Sequence, residues 1–284
     1  MNILITAPKS YFIKNLISQI DKKLYYFYVI KKNNQDIKKI KSIFQKTKFK
    51  ILDLNTICKS KNILNKYKIK IAINSINSYN DENKIFKIYN SNVTIPSILF
   101  DIIKQSNIQY FINIDTILDQ RTNFYSLTKY IYRNYIKSSN DKKICIINLR
   151  FHNFYSYKIN EKNFISQLSK LSKYRKKLYM TKGVQKRDFI HIKDAIELVI
   201  KIIENNSKFQ KFNYLEFNIG GNQSMSILEI ANFIRKYYKN DIKLNITKLE
   251  YKNKFEQKNY FSENRKILNY FNWQPKHSIK KRYI

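Results

Sequence analysis

The sequence predicts an α/β protein, a doubly wound parallel sheet with a smaller C-terminal lobe interleaved with its end. Two observations carry this. Short runs rich in β-branched and aromatic residues alternate with helix-like segments through the first half, the pattern of parallel strands joined by crossover helices. Several of those runs, such as Tyr110 to Ile114, are apolar or aromatic at nearly every position, as strands covered on both faces require. At 284 residues the chain is long enough to bury a proper core, as one large unit or as two lobes.

The elements follow in order. The apolar start of the chain gives a first strand over 2–6, and Phe12 to Ile20 a helix with its apolar residues on one face. The aromatic run before Lys31 is the second strand, 24–30. Ile37, Ile40 and Phe44 mark a helix over 35–46, and strands follow at 48–52 and 69–74. A helix over 92–105, a strand over 109–115, a helix over 124–138 and a strand over 143–149 complete the alternation. Beyond them, helices at 161–175, 193–205 and 226–239 and short strands at 178–181, 187–191 and 214–219 suggest the second lobe. No repeat or Pro/Gly/Ser-rich linker marks a boundary. The expected division is residues 1–155, with 184–205 returning to that domain, and 156–284 as the smaller lobe.

Composition narrows the class. Hydrophobic residues make up 43% of the chain, which indicates a globular protein despite a formal charge of +35. That charge argues for an anionic partner, yet lysines fall on almost every element, alongside many Ile, Asn and Tyr and only three Gly and three Pro. This is a general residue bias instead of a basic stripe. No helix-turn-helix, zinc-finger or aromatic RNA-binding signature is present, so no dedicated nucleic-acid partner is expected beyond adventitious, salt-sensitive binding. The apolar stretches are far shorter than the ~20 residues of a spanning helix, and the N-terminus lacks a signal peptide's features. No membrane partner and a cytoplasmic location are therefore expected. Cys58 and Cys145 read as buried free thiols, and three histidines scattered along the chain offer no metal cluster.

The stretch from Phe111 to Thr116, followed by Tyr125 to Lys129, carries the chemistry. Thr116 falls at the carboxyl end of a strand, where open α/β sheets place ligands. Tyr125 and Lys129, four apart on a helix, share a face. An ammonium beside the phenol would lower its pKa from ~10 toward working pH, so that it could exchange a proton with a sugar hydroxyl while a hydride moves to or from a nicotinamide. Each residue has a plainer reading: one of 23 tyrosines, a turn threonine, a solvated lysine.

With Leu149–Tyr155 (LRFHNFY), Gly183–Asp194 (GVQKRDFIHIKD), Phe217–Gly221 (FNIGG) and Asn272–Pro275 (NWQP), in matching order and spacing, the chain resembles the extended short-chain dehydrogenase/reductases, the NAD-dependent epimerase/dehydratases that act on nucleotide sugars. The step of nine positions from Thr116 to Tyr125 is shorter than in many members, and the run Asn113–Leu118 (NIDTIL) before Tyr125–Lys129 (YSLTK) resembles a branch that reduces a 4-keto nucleotide sugar. The resemblance implies a Rossmann-like fold, a substrate-binding C-terminal lobe, a homodimer and an enzyme of surface-polysaccharide sugar synthesis, either a 4-keto reductase or an epimerase working through a keto intermediate. It also implies Thr116, Tyr125 and Lys129 as catalytic residues. Ala7, Ser10, Tyr11, Phe12, Lys31, Asp53, Leu54, Asn92, Lys129 and His152 would bind the cofactor, and Asn153 and Arg187 the sugar and its diphosphate. The family's three glycines after the first strand fall on Ala7, Ser10 and Ile13, none of them glycine. That leaves a catalytically silent nucleotide-binding homologue as the alternative. Lys31, after the second strand, suits a 2′-phosphate and favours NADP over NAD.

Overall fold

The structure, a computed structural model, describes residues 1–32, 36–59, 63–79, 85–139, 141–156, 164–174, 178–239, 244–246 and 264–283. In chain order the elements are β1 (Asn2–Ile5), α1 (Tyr11–Gln19), β2 (Tyr26–Lys31), α2 (Ile37–Ile43), β3 (Lys48–Asp53), α3 (Leu54–Lys59), β4 (Ile71–Asn74), α4 (Ile85–Tyr89), α5 (Ile95–Lys104), β5 (Tyr110–Thr116), α6 (Phe124–Lys137) and β6 (Cys145–Phe151). There follow β7 (Asn153–Tyr155), α7 (Phe164–Lys173), β8 (Leu178–Met180), β9 (Lys186–His191), α8 (Ile192–Glu204), β10 (Tyr214–Ile219), β11 (Ser224–Ser226), α9 (Ile227–Tyr237), β12 (Leu244–Ile246), α10 (Arg265–Phe271) and α11 (Ile279–Tyr283). Two units result: Met1–Arg150 with Ile196–Phe217, and Phe151–Ala195 with Asn218–Ile284.

The first unit holds the expected doubly wound sheet, of strand order β10-β6-β5-β4-β1-β2-β3. Strands β3, β2, β1, β4 and β5 run parallel, with Ile3 opposite Phe27 and Ile71, and Ile73 opposite Ile112. The central strands are buried at most positions, β4 at all four, which is why they read as nearly continuous apolar runs. Leu4, Ala72, Phe100, Phe111, Tyr132 and Ile146 belong to one core cluster of this unit. Helix α6 is started by a reciprocal cap: the Asn123 side chain accepts from Ser126 N and the Ser126 side chain from Asn123 N. It buries Tyr125, Lys129, Tyr132 and Ile136, positions recurring at helical spacing.

The helix expected over 92–105 is already under way at Ile85: α4 passes without a break into a π-helical stretch, Asn90–Thr94, and then into α5, with Pro96 in its first turn. Asn92 lies in the wide turn, where its side chain bonds to chain outside the helix instead of pointing to solvent. Cys58 is exposed while Cys145 is buried, and both are free thiols. Burial of Cys58 was expected from its apolar neighbours, but on short α3 Ile57 takes the inward position.

In the second unit β9 pairs with β7 in parallel and with β11 antiparallel. Tyr155, Ile165, Leu168, Phe189, Met225, Ile230 and Ile234 form its core. Gly221 is obligatory there, because a Cβ would lie 2.0 Å from the Phe189 carbonyl oxygen. Two of the histidines scattered along the chain meet in this unit. His191 stacks on His277, ring centroids 4.1 Å apart, and His277 Nδ1 lies 2.7 Å from Asp194 Oδ1. Among the described residues no group of three or more His, Cys, Asp or Glu could hold a metal ion, and no helix is long and apolar enough to cross a membrane.

Candidate active site

Strand β5 ends at Thr116 and α6 begins eight residues later, so the threonine and the first two turns of the helix meet at the carboxyl edge of the sheet. Tyr125 is 8% exposed and Lys129 2%. The Tyr125 hydroxyl interacts with the side chains of Thr116 and Asn77. The Tyr79 ring meets the Tyr125 ring edge-on, 4.8 Å between centroids. Lys129 Nζ donates to the Ile114 carbonyl oxygen at 3.0 Å.

The expected lowering of the Tyr125 pKa by Lys129 is corrected here. Burial, reinforced by the Asp115 charge, pushes the phenol well above its ordinary value, against the smaller opposing effect of its bonds to Thr116 and Asn77. Helical spacing puts the two residues on one face, but the ammonium donates to the Ile114 backbone carbonyl instead. Desolvation lowers the Lys129 pKa, the Asp115 carboxylate raises it and Arg133 lowers it. So raised, the phenol carries its proton at working pH and is a weaker acid than a free tyrosine.

Three charged residues the sequence did not single out stand behind this cluster. Asp115, 5% exposed, accepts from Thr116 N at 2.8 Å and pairs with Arg133 at 2.8 Å. Arg150 donates through Nε to the Thr116 carbonyl oxygen at 3.4 Å, through Nη2 to that of Ile117 at 3.5 Å, and through Nη1 to Glu216 at 3.2 Å. Asp115 sits directly before the catalytic candidate and Arg133 four residues after Lys129, a signal of position but not of pattern in so basic a chain. From Asp115 a hydrogen-bonded row crosses the sheet. Thr6 Oγ1 donates to Asn74 Oδ1 (2.9 Å), Asn74 Nδ2 to Asn113 Oδ1 (2.9 Å), Asn113 Nδ2 to Asn148 Oδ1 (2.7 Å), and Asn148 Nδ2 to Asp115 Oδ2 (3.2 Å) and Glu216 Oε2 (3.0 Å).

At the first turn Ala7 has φ +46°, the left-handed conformation usually given to glycine. Ser10 caps α1, accepting from Ile13 N at 3.2 Å, and its hydroxyl lies 2.8 Å from that of Ser75. Tyr11 opens the helix, and Phe12 and Ile13 are buried on it. Lys31 and Asp53 end neighbouring strands in register and form a 2.6 Å ion pair, which holds the Asp53 carboxyl below its usual range. Leu54 begins α3 and packs against the core. Asn92 accepts from Ser78 N at 2.8 Å and donates to Ser78 O and Thr128 Oγ1, each at 3.0 Å, so it fastens the loop after β4 to α6.

In the second unit His152 is buried, and its backbone N–H donates to the Ile219 carbonyl at 2.9 Å. Asn153 opens β7 opposite Phe189 and is exposed. Arg187 is 7% exposed and donates to the Lys186 carbonyl at 2.9 Å. Its neighbour Asp188 accepts from Gly221 N at 2.9 Å.

Comparison with known proteins extends these observations. The model of the NAD dependent epimerase/dehydratase family matches residues 12–220. CDP-abequose synthase of Salmonella muenchen is 22% identical over 252 residues, 86% of this chain and 83% of that protein. UDP-glucuronic acid 4-epimerase from Bacillus cereus, solved with UDP-glucuronic acid and NAD, matches with a TM-score of 0.78 at 19% identity, over 99% of this chain and 96% of that one. dTDP-glucose 4,6-dehydratase from Bacillus anthracis, solved with NAD, gives a TM-score of 0.73 at 17% identity, over 99% and 93%. At these identities the solved structures share the fold.

Proposed function

The chain belongs to the NAD dependent epimerase/dehydratase family, and on that footing we propose that it is an NAD(P)-dependent oxidoreductase of a nucleotide-diphosphate sugar, reducing a 4-keto sugar. The observation that carries the reading is the contact of the Tyr125 hydroxyl with the Thr116 side chain at the carboxyl edge of the sheet, with Lys129 buried one turn further along α6. The likeness to CDP-abequose synthase over most of both chains favours reduction over epimerisation, which the same residues would also serve.

The turn after β1 fits a dinucleotide, because Ala7 holds the left-handed backbone such a turn needs although it is not glycine. This favours an enzyme over a silent homologue. Ala7, Ser10, Tyr11 and Phe12 would hold the diphosphate at the N-terminus of α1, Lys31, Asp53 and Leu54 the adenosine, and Lys129 the nicotinamide ribose. When bound, the dinucleotide supplies the hydride. Tyr125 then delivers its proton to the oxygen of the reduced carbonyl, and a phenol kept protonated by burial is ready to do so. Thr116 holds that oxygen through its hydroxyl, while Asn77 and Tyr79 fix the phenol ring. In the second unit Arg187 is assigned to the substrate's diphosphate, Asn153 to its sugar, and His152 to the nicotinamide of the cofactor. Lys31 leans the choice of dinucleotide to NADP, with Asp53 competing for its charge. The working form is proposed to be a cytoplasmic homodimer.

Calorimetric titration with NAD, NADH, NADP and NADPH, followed by turnover assays on a CDP-linked 4-keto sugar with NADPH, tests this. Submillimolar dinucleotide binding and NADPH oxidation by the keto sugar are expected. A folded protein that binds none of the four at millimolar concentration overturns it.

A further inference from the structure

A buried ammonium needs a counter-charge, and among the described residues no carboxylate forms a salt bridge with Lys129. Its one hydrogen-bond acceptor is the Ile114 carbonyl, in the peptide that leads into Asp115. Asp115 is itself fixed from three sides: by Thr116 N on Oδ1, and by Arg133 Nη1 and Asn148 Nδ2 on Oδ2. Arg133 Nη1 also reaches the Thr116 carbonyl at 3.5 Å, which Arg150 approaches from β6. The two guanidiniums therefore grip the peptide that carries Thr116, and the carboxylate between them shares a buried neighbourhood with Lys129.

We propose that the Asp115–Arg133 ion pair is the positioning device of this site: Asp115 holds Lys129 in its charged form, Arg133 moderates that hold, and Arg133 with Arg150 anchors the Thr116 backbone. Neither residue touches substrate; both act through Lys129 and Thr116. The proposal rests on the reading of Thr116, Tyr125 and Lys129 as the reacting groups. The charged groups acting on the ammonium are Asp115 on β5 and Arg133 on α6, with Glu216 on β10 beyond Asp115, joined to it through Asn148. Of the two charges, the carboxylate acts on Lys129 more strongly than the guanidinium.

The sign differs for the two partners, which makes the device separable from a merely structural ion pair. Asp115→Asn removes attraction and leaves Arg133 repelling, so Lys129 loses its proton at lower pH. Arg133→Met removes repulsion, so Lys129 keeps its proton to higher pH. Asp115→Glu retains the charge and titrates close to wild type.

The test is a pH titration of the full-length chain labelled with 13Cε-lysine, followed by NMR, with the Lys129 signal assigned by its absence in Lys129→Arg. Opposite displacements are expected, each about one pH unit, the order exerted by a nearby charge. If Asp115→Asn does not fold, the double variant Asp115→Asn/Arg133→Met leaves neither charge unpaired, and its Lys129 is expected to titrate below wild type. No displacement, or displacement in the same direction for both single variants, or a double variant at or above wild type, overturns the proposal. No nucleotide sugar enters the measurement, so an error in the assigned reaction leaves its outcome unaffected.

Discussion

Replacing Ala7 by glycine should stabilise the protein. At φ +46° an L-residue sits in the left-handed region, at a cost of ~1–2 kcal/mol relative to glycine. Glycine returns ~0.4–1 kcal/mol of this by loosening the unfolded chain. Ala7 is half-buried, so its methyl adds about half of the ~0.8 kcal/mol of a fully buried CH₂. The balance favours Ala7→Gly by roughly 0.5 kcal/mol, a rise in melting temperature of about 1–2 °C for a protein of this size. Ala7→Val should move the other way, because a β-branched residue is a stronger outlier at positive φ. Thermal unfolding of the three proteins, with m-values from urea unfolding to check that the transition is unchanged, reads the sign. A glycine variant less stable than wild type, or a valine variant equal to it, would refute the left-handed turn. The other two glycine positions do not follow. Ile13 is fully buried, and Ile13→Gly loses core packing and helix propensity together, about 3–6 kcal/mol. Restoring all three glycines at once should therefore cost more stability than Ala7→Gly provides.

Tyr125→Phe should fold and bind dinucleotide as wild type but lose ~10²–10⁴-fold in turnover, checked by stopped-flow NADPH oxidation; undiminished turnover removes Tyr125 from the chemistry. Arg187→Ala should raise the KM for nucleotide sugar far more than that for the dinucleotide; if only the melting temperature falls, this buried arginine is structural. His191 is held neutral by burial, with the His277 and Lys193 charges adding to the effect, its pKa lowered to about 3. The unfolded chain therefore binds more protons between about pH 3 and 6.5. Stability rises with pH across that window, by up to ~1.4 kcal/mol per unit, and is complete above it. Melting curves at pH 7 and pH 5 should show a smaller acid loss for His191→Gln than for wild type; equal losses would place the acid sensitivity elsewhere. Thiol titration should find one reactive cysteine in the native protein, Cys58, and two in denaturant, because Cys145 is buried with its pKa pushed up to about 12.

The parts of this molecule legible in the sequence are those whose signal is local. The central strands declare themselves because burial on both faces leaves room for few polar residues, and Thr116 and Tyr125 are close in the chain, so strand end and helix start bring their hydroxyls together. What could not be read depends on partners far away. Helical spacing puts Lys129 on the face of Tyr125 but does not say that the ammonium will bond to Ile114. Asp115 and Arg133 lie 18 residues apart, and a single arginine among 55 basic residues announces nothing. Ala7 shows a different limit. Its sequence signal was the absence of glycine, whereas the backbone conformation persists and only its cost changes. Strands β7 and β11, three residues each, are too short to show a period, and the π-helical turn at Asn92 is paid for by bonds to Ser78 and Thr128 that no local pattern reveals.

The polar row running from the Thr6 hydroxyl through the amides of Asn74, Asn113 and Asn148 to the Glu216 carboxylate has a meaning beyond the site it borders. Strands rich in isoleucine and aromatic residues and covered on both faces are similar as hydrophobic objects, so apolar burial alone gives each one little to identify its neighbour. An asparagine at one height in each of β4, β5 and β6 works as an index mark. Sliding β4 or β5 by a single step would strand two amides in a dry interior, a penalty that falls on every misaligned arrangement and spares the native one. A chain drawn from so narrow an alphabet can thus still encode which strand lies beside which, with its few buried polar letters acting as punctuation.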